Sequence, residues 1–169
     1  SNNRIGLPAL CTFGCGGSGN EGDGVRLDTD SASNTVSDNE IGYNGGDGIV
    51  VTDSNLNALI RNEITNNGEQ SIDLGDNGIS ANSNNSAVNL PAGNGNDAQN
   101  RPVLSSAVGE VDVGVVSGTL SSRNGWYRLD FYVGFECPGT IIASFAFQGE
   151  PEFYLRSHFV EITTATDNF

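Results

Sequence analysis

N-E-G-D-G-V-R-L at residues 20–27 returns as N-G-G-D-G-I-V-V at residues 44–51 and, more loosely, as N-G-E-Q-S-I-D-L at residues 67–74. A second phrase lies between these copies: N-T-V-S-D-N-E-I at residues 34–41 becomes N-A-L-I-R-N-E-I at residues 57–64. The copies are 23 or 24 residues apart, a spacing that is typical of solenoid repeats. The repeat therefore predicts a solenoid.

Each repeat contains short alternations of apolar and polar residues, which predict short strands with one face turned inward. Strands one repeat apart are expected to lie parallel and in register, so that their aliphatic side chains stack. The predicted rows are Val25 over Ile49 over Ile72, and Ile41 over Ile64. Asn and Gly tolerate the left-handed backbone angles of the corners, and Asn39 over Asn62 and Asn34 over Asn57 predict two ladders of side-chain amides.

The segments NTVSDNEIGYNGGDGIVV and NALIRNEITNNGEQSIDLG resemble the coils of bacterial right-handed parallel β-helix proteins of the pectate-lyase-like type. The resemblance covers about residues 3 to 78. N-R-P-V-L at residues 100–104 and G-T-L at residues 118–120 extend it, less specifically, toward the C-terminus. It implies a right-handed β-helix in a secreted or cell-surface protein.

The sequence predicts three parts: β-helix coils at 1–78, an Asn/Gly-rich linker at 79–101 and a β-sandwich-like module at 102–169. In the last part Tyr127, Leu129, Phe131 and Val133 alternate with Arg128 and Asp130, and residues 141–147 form a further predicted strand. The expected fold class is all-β: a short right-handed parallel β-helix followed by a small antiparallel β-sandwich-like module.

The chain of 169 residues is strongly acidic, with a net charge of −14, seven Arg and no Lys. This charge argues against binding nucleic acid or an anionic lipid surface, because both require a basic face. No apolar run approaches the roughly 20 residues of a membrane-spanning helix, so membrane insertion is not expected. We expect a processed product or a piece of a longer parent chain.

Three cysteines leave one without an obvious partner. Cys11 and Cys15 lie close enough in sequence for a local disulfide, which would leave Cys137 unpaired. Such a bridge would fit a secreted location. The alternative is three buried free thiols.

Three acidic residues follow the first strand of successive repeats. Asp30, Asp53 and Asp76 fall within one position of a common column, where their oxygens could bind Ca²⁺. The alternative is that these turn residues cap their own backbone and face water. Ca²⁺ is the only cofactor that the sequence indicates.

Aromatic residues in the C-terminal part offer a second type of site. Trp126, Tyr127 and Tyr132 are candidates for a platform on which a sugar ring stacks. The alternative is that they belong to the core and the sheet edges. Glycan binding is therefore one of two interpretations.

Lyases and hydrolases occur on β-helix folds, so catalysis is the hypothesis to weigh. The repeat places Arg26 two coils above Asp73, with Val50 between them, and this apolar gap separates the charges. His158 is the only histidine, and the sequence indicates no Ser-His-Asp grouping around it. No catalytic residue is predicted, and the sequence favours a non-catalytic protein over an enzyme.

The preferred prediction is a non-catalytic extracellular structural or adhesive protein. It would self-associate into a filament or matrix through head-to-tail or strand-exchange contacts, or belong to a longer parent chain. The alternatives are a piece of a polysaccharide lyase or glycoside hydrolase of β-helix fold, and a carbohydrate-binding module.

Overall fold

The computed structural model of the chain describes residues 1–7, 19–82, 95–110, 113–133, 152–163 and 166–168. Within these ranges the chain forms β-strands and one short 3-10 turn, Asn96–Ala98. The described residues contain no helix that is long and apolar enough to span a membrane. The predicted all-β class is confirmed.

The first half of the chain is a solenoid of short parallel strands. Its strands are β1 (Arg4–Ile5), β2 (Val25–Leu27), β3 (Thr35–Ser37), β4 (Glu40–Gly42), β5 (Ile49–Val51), β6 (Ala58–Ile60), β7 (Glu63–Thr65) and β8 (Ile72–Leu74). They form three parallel sheets, with the orders β1-β4-β7, β2-β5-β8 and β3-β6. The predicted rows are confirmed: Val25 pairs with Ile49, Ile49 with Ile72, and Ile41 with Ile64.

Aliphatic side chains from all three sheets fill the interior of the solenoid. Ile41, Ile49, Val51 and Ile64 are buried, and neighbouring partly buried residues such as Ile5 and Leu59 pack against them. Each fully buried aliphatic side chain stabilises the fold by about 1.5–3 kcal/mol. The column of stacked side chains is therefore the main source of the solenoid's stability.

Asparagine side chains bond one coil to the next in three ladders: Asn3–Asn39–Asn62, Asn20–Asn44–Asn67 and Asn34–Asn57–Asn96. In a typical step, the Asn39 main-chain N–H and Nδ2 both donate to Asn62 Oδ1, at 3.2 and 2.9 Å. Asn39 and Asn62 are 5% and 4% exposed. A buried amide that is bonded in this way avoids the cost of an unpaired polar group, about 1–3 kcal/mol.

The left-handed corner residue is the one before the ladder asparagine. Asp38 (φ 56°) precedes Asn39, and Arg61 (φ 49°) precedes Asn62. The same order holds at Tyr43, Asn66, Ser33 and Leu56, each followed by a ladder asparagine. The expectation that Asn and Gly supply the left-handed angles therefore holds only in part: Asn66 does so, whereas other residue types take this place at most of these corners. The ladder bonds hold the corner and so offset the strain of about 1–3 kcal/mol at a non-glycine residue.

The repeated Gly24 and Gly48 have a steric cause. A Cβ on Gly48 would lie 2.4 Å from Ile64 Cγ2 and 2.7 Å from the Ser71 carbonyl oxygen. A Cβ on Gly24 would lie 2.6 Å from Ile41 Cγ2. The glycines therefore allow successive coils to approach closely at this corner.

The second half of the chain forms an antiparallel module. Its strands are β9 (Val103–Glu110), β10 (Val113–Ser121), β11 (Gly125–Val133), β12 (Phe153–Ile162) and β13 (Thr166–Asn168). They form one sheet with the order β13-β10-β9 and a pair β11-β12. Leu120, Leu129, Val160 and Ile162 make its buried core, with Tyr127 and Phe131 packed against them. The predicted strand at 141–147 lies outside the described residues.

The turn at Asn96 lies within the predicted linker but contacts the solenoid. Asn96 Oδ1 accepts a hydrogen bond from the Asn57 main-chain N–H (3.0 Å), and Asn96 Nδ2 donates to the Asn57 carbonyl oxygen (2.9 Å). The next rung of this ladder is therefore 39 residues further along the chain rather than 23. The boundaries predicted for the three parts stay predictions, but residues of 79–101 extend the coil stack at this corner.

The β11–β12 pair lies against the last coil of the solenoid. One coil earlier the Asp38 main-chain N–H donates to the Ile60 carbonyl oxygen (3.0 Å). The equivalent Arg61 N–H donates instead to Asp130 Oδ2 on β11 (2.9 Å), and the Tyr154 N–H on β12 donates to Glu63 Oε1 (3.3 Å). The module therefore caps the last coil by bonding to Arg61 and Glu63, at β6 and β7.

Candidate functional site

The largest group of charged contacts lies on the outer side of the β2-β5-β8 sheet. Arg26 on β2 donates to Asp23 Oδ2 (3.1 Å), Asp28 Oδ2 (3.3 Å) and Asp76 Oδ2 (2.7 Å). Asp76 follows β8, so the guanidinium reaches across two coils. The bond to Asp76 is the largest of the causes that raise the pKa of Arg26.

Val50 does not separate the charges in the way the sequence predicted. It is paired with Arg26 on one side and with Asp73 on the other, as expected. It is fully buried, and Arg26 meets its partner two coils below at Asp76 rather than at Asp73. The predicted apolar gap is thus bridged, and this outer face carries a connected group of charges.

Asp47 is the most deeply buried acid of this group, at 1% exposure. Its Oδ1 accepts a hydrogen bond from the Gln70 main-chain N–H (2.6 Å), and its own N–H donates to Asp23 Oδ1 (3.0 Å). Burial, together with the nearby charges of Asp73, Glu69 and Asp23, raises the pKa of Asp47 to about 6, against the opposing effect of the Gln70 bond. A carboxyl group with this pKa suits acid–base chemistry, but a buried one cannot reach a polymer substrate.

Asp73 closes the turn after β8. Its Oδ2 accepts hydrogen bonds from the main-chain N–H groups of Asn77 (3.0 Å) and Gly78 (2.6 Å). The residue is 3% exposed, and its Oδ1 has no hydrogen-bond partner within the described part of the chain. Asp73 is therefore a second buried carboxylate on the same sheet as Arg26.

The three residues predicted to bind Ca²⁺ are all left-handed turn residues, with φ values of 66° at Asp30, 48° at Asp53 and 57° at Asp76. Asp53 and Asp76 each lie two residues after their strand, whereas Asp30 lies three after β2. Asp76 is bonded to Arg26. Across the described ranges no three His, Cys, Asp or Glu side chains converge as metal ligands. Calcium binding stays a prediction.

The three predicted glycan-binding aromatics do not share one surface. Trp126 is 68% exposed on β11, whereas its neighbour Tyr127 packs on the opposite face against the module's core. Tyr132 meets Tyr154 edge to face, with ring centroids 5.7 Å apart, and burial raises its pKa. Phe159 on β12 is 60% exposed and lies on the same face as Trp126. Its cross-strand partner is Arg128, two positions after Trp126 on β11.

Sequence reasoning missed the group of residues that joins the module to the solenoid. Arg128 donates to Asp130 Oδ1 (2.7 Å) and to Ser157 Oγ (2.6 Å), and Ser157 also bonds Asp130 and the Tyr154 hydroxyl. Asp130 in turn accepts from the Arg61 N–H. The available signal was the polar face of β11, predicted from the alternation of Arg128 and Asp130 with apolar residues.

Two other sequence predictions can be placed only in part. Cys11, Cys15 and Cys137 lie outside the described residues, so the disulfide stays a prediction. His158 is exposed on β12, opposite the buried Leu129.

Three parallel sheets, stacked aliphatic rows and asparagine ladders together define a parallel β-helix. The family model described as "Right handed beta helix region" matches residues 11–95, half of the chain, and the protein belongs to this family. A search of curated proteins found no match. A search of solved structures likewise found no match.

Proposed function

We propose that the protein is a non-catalytic extracellular structural or adhesive protein, in which the solenoid is a rigid spacer and the C-terminal module makes contacts with other molecules. A single observation supports this proposal: the charged side chains of the solenoid bond to one another across coils. Arg4 bonds Glu40, Arg26 bonds Asp76 and Arg61 bonds Asp38. The side chains that would serve a polysaccharide-cleaving site hold the coils together instead.

Incubation with uronate-containing and neutral polysaccharides, with and without Ca²⁺, tests the absence of catalysis. The expected result is no release of reducing ends or unsaturated products. Turnover that is lost in Arg26→Ala or Asp53→Ala, but kept in Arg123→Ala, would contradict the proposal. It would favour the alternative of a polysaccharide-processing enzyme.

Self-association through a sheet edge agrees better with the structure than head-to-tail stacking. The module's hydrogen bonds to β6 and β7 lie where a stacked copy would have to bind. Among the strands that the structure describes, β9 lies at the edge of its sheet, and Leu104 and Val108 on it are 60% and 59% exposed. The one charged residue of β9 is Glu110 at its end, and an edge with so little charge favours the addition of another strand.

Light scattering over a range of protein concentrations tests this route of assembly. We expect association that Val108→Lys weakens at least tenfold, because a charged side chain on an edge strand opposes pairing. Leu56→Lys, at a solvent-exposed corner of the solenoid, is the matched control and should leave association unchanged. A wild-type protein that stays monomeric at high concentration would exclude this part of the proposal.

Glycan binding is a second candidate, supported by the exposure of Trp126 and Phe159 on one face of the β11–β12 pair. Aromatic rings on a sheet face offer flat apolar surfaces for a sugar ring. A glycan array probed with wild type, Trp126→Ala and Phe159→Ala tests it. Binding that both variants lose, and that Tyr43→Ala on the solenoid keeps, would support an adhesive role through this face.

A further inference from the structure

A fourth column runs beside the three asparagine ladders, and two of its three described members, Asp23 and Asp47, are carboxylates, followed by Gln70. The Asp47 main-chain N–H donates to Asp23 Oδ1, and the Gln70 main-chain N–H donates to Asp47 Oδ1. The direction of donation is the reverse of that in the asparagine ladders. An ionised Asp only accepts hydrogen bonds, so this column lacks the Nδ2 donors of the other three.

Asp47 is surrounded by negative charge. Asp23 lies above it, and Glu69 and Asp73 from the following coil act on it through space. Arg26, the cation of this outer face, donates its hydrogen bonds to Asp23, Asp28 and Asp76. None of these bonds reaches Asp47. An ionised Asp47 is therefore a buried negative charge beside other carboxylates, which is costly unless a proton or a cation neutralises it.

We propose that Asp47 is a proton-binding site that stabilises the junction between coils in mildly acidic surroundings and weakens it as the pH rises toward neutrality. This goes beyond the structural role proposed above, because it makes the rigidity of the solenoid depend on its surroundings. The geometry is specific, since Asp47 is the member of this column that bonds to both neighbouring coils within the described residues.

The sign of the effect follows from linkage. The pKa of Asp47 is about 6 in the folded protein, and that of an unfolded Asp is about 3.9. The folded state therefore holds the proton more tightly. The stability that the bound proton contributes is fully present below pH about 4 and is lost between about pH 4 and 6.

Thermal unfolding of the wild type and of Asp47→Asn at pH 5 and pH 7.5 tests the proposal. An amide at this position keeps Oδ1 as an acceptor for Gln70 and carries no charge. We expect Asp47→Asn to raise the unfolding temperature by about 5 °C at pH 7.5 and by much less at pH 5. Glu69→Gln also removes one negative charge, but from an exposed neighbour, and should change the unfolding temperature by less than about 2 °C. An equal change in Asp47→Asn at both pH values would overturn the proposal.

A second measurement does not depend on any variant. The carboxyl-carbon resonance of Asp47 in the wild-type protein should titrate with a midpoint near pH 6, whereas a midpoint below about 4.5 would overturn the proposal. Millimolar Ca²⁺ provides a third arm. If it raises the unfolding temperature of the wild type at pH 7.5 but not that of Asp47→Asn, a metal ion rather than a proton neutralises the site, and the proposal is wrong.

Discussion

The solenoid and the C-terminal module differ in how they distribute apolar side chains between the core and the surface. In the solenoid, apolar side chains point into one dry column and buried polar groups such as Asn39 and Asn62 bond to each other. In the module, a core of four buried residues lies beside large exposed apolar side chains, including Trp126, Leu155 and Phe159. The difference indicates that buried groups of the solenoid are satisfied mainly from coil to coil, whereas the module carries more of the large exposed apolar side chains.

The largest expected effect is on the solenoid's core. Ile41→Ala removes a fully buried side chain from the row with Ile64 and should lower the free energy of unfolding by about 4 kcal/mol. Denaturant unfolding followed by circular dichroism measures it. The exposed Val115→Ala in the module should cost less than about 0.5 kcal/mol. Similar losses at both sites would erase the contrast between the two regions.

The next largest effect is on the ladders. Asn39→Ala leaves the two Asn3 donors without their acceptor and leaves Asn62 Oδ1 with only the bond from the residue 39 main-chain N–H, which should cost about 2–3 kcal/mol. Urea titration gives the value, with Asn124→Ala, in the exposed turn between β10 and β11, as the control. A loss no larger than that of the control would show that stacking alone holds the coils.

A smaller effect is expected at the junction between the two regions. Asp130→Ala removes the acceptor of the Arg61 N–H and should cost about 1–2 kcal/mol. Hydrogen exchange should accelerate at β6 and β7 and not at β2. Glu161→Ala, exposed on β12, should leave exchange in the solenoid unchanged. Unaltered hydrogen exchange at β7 in Asp130→Ala would show that the module does not cap the last coil of the solenoid.

The smallest effect concerns a half-buried ion pair. Arg61 bonds Asp38 (Nη2 to Oδ2, 2.8 Å) and lowers the pKa of that carboxyl. Its contribution is therefore present above the unfolded pKa and is lost as the pH falls through the folded pKa, the opposite sign to Asp47. Asp38→Asn should lower the unfolding temperature by about 1 °C at pH 7 and not at pH 2. A drop that persists in the Arg61→Gln background would show that the pair is not the cause.

The repeat was enough to predict the strands, their register and two of the asparagine ladders, because a fixed period places like residues on top of each other. The position of Asn96 was out of reach, since it joins its ladder after 39 residues instead of 23. The reach of Arg26 to Asp76 depends on a side chain crossing two coils, which strand register does not encode. The contact of Asp130 with Arg61 joins distant parts of the chain, and only tertiary structure shows it.

The one-way direction of the asparagine ladders sets a rule for how such a protein can lengthen. In the 23-residue steps of the ladders the Asn main-chain N–H and Nδ2 of the preceding coil donate to Asn Oδ1 of the following one, as from Asn39 to Asn62. A duplicated block that runs from one rung to just before the next would present the same acceptor and the same donors to its neighbours. A gene that gains or loses whole blocks of this size would change the length of the rod without altering its joints, whereas a change of a few codons would break all three ladders at once.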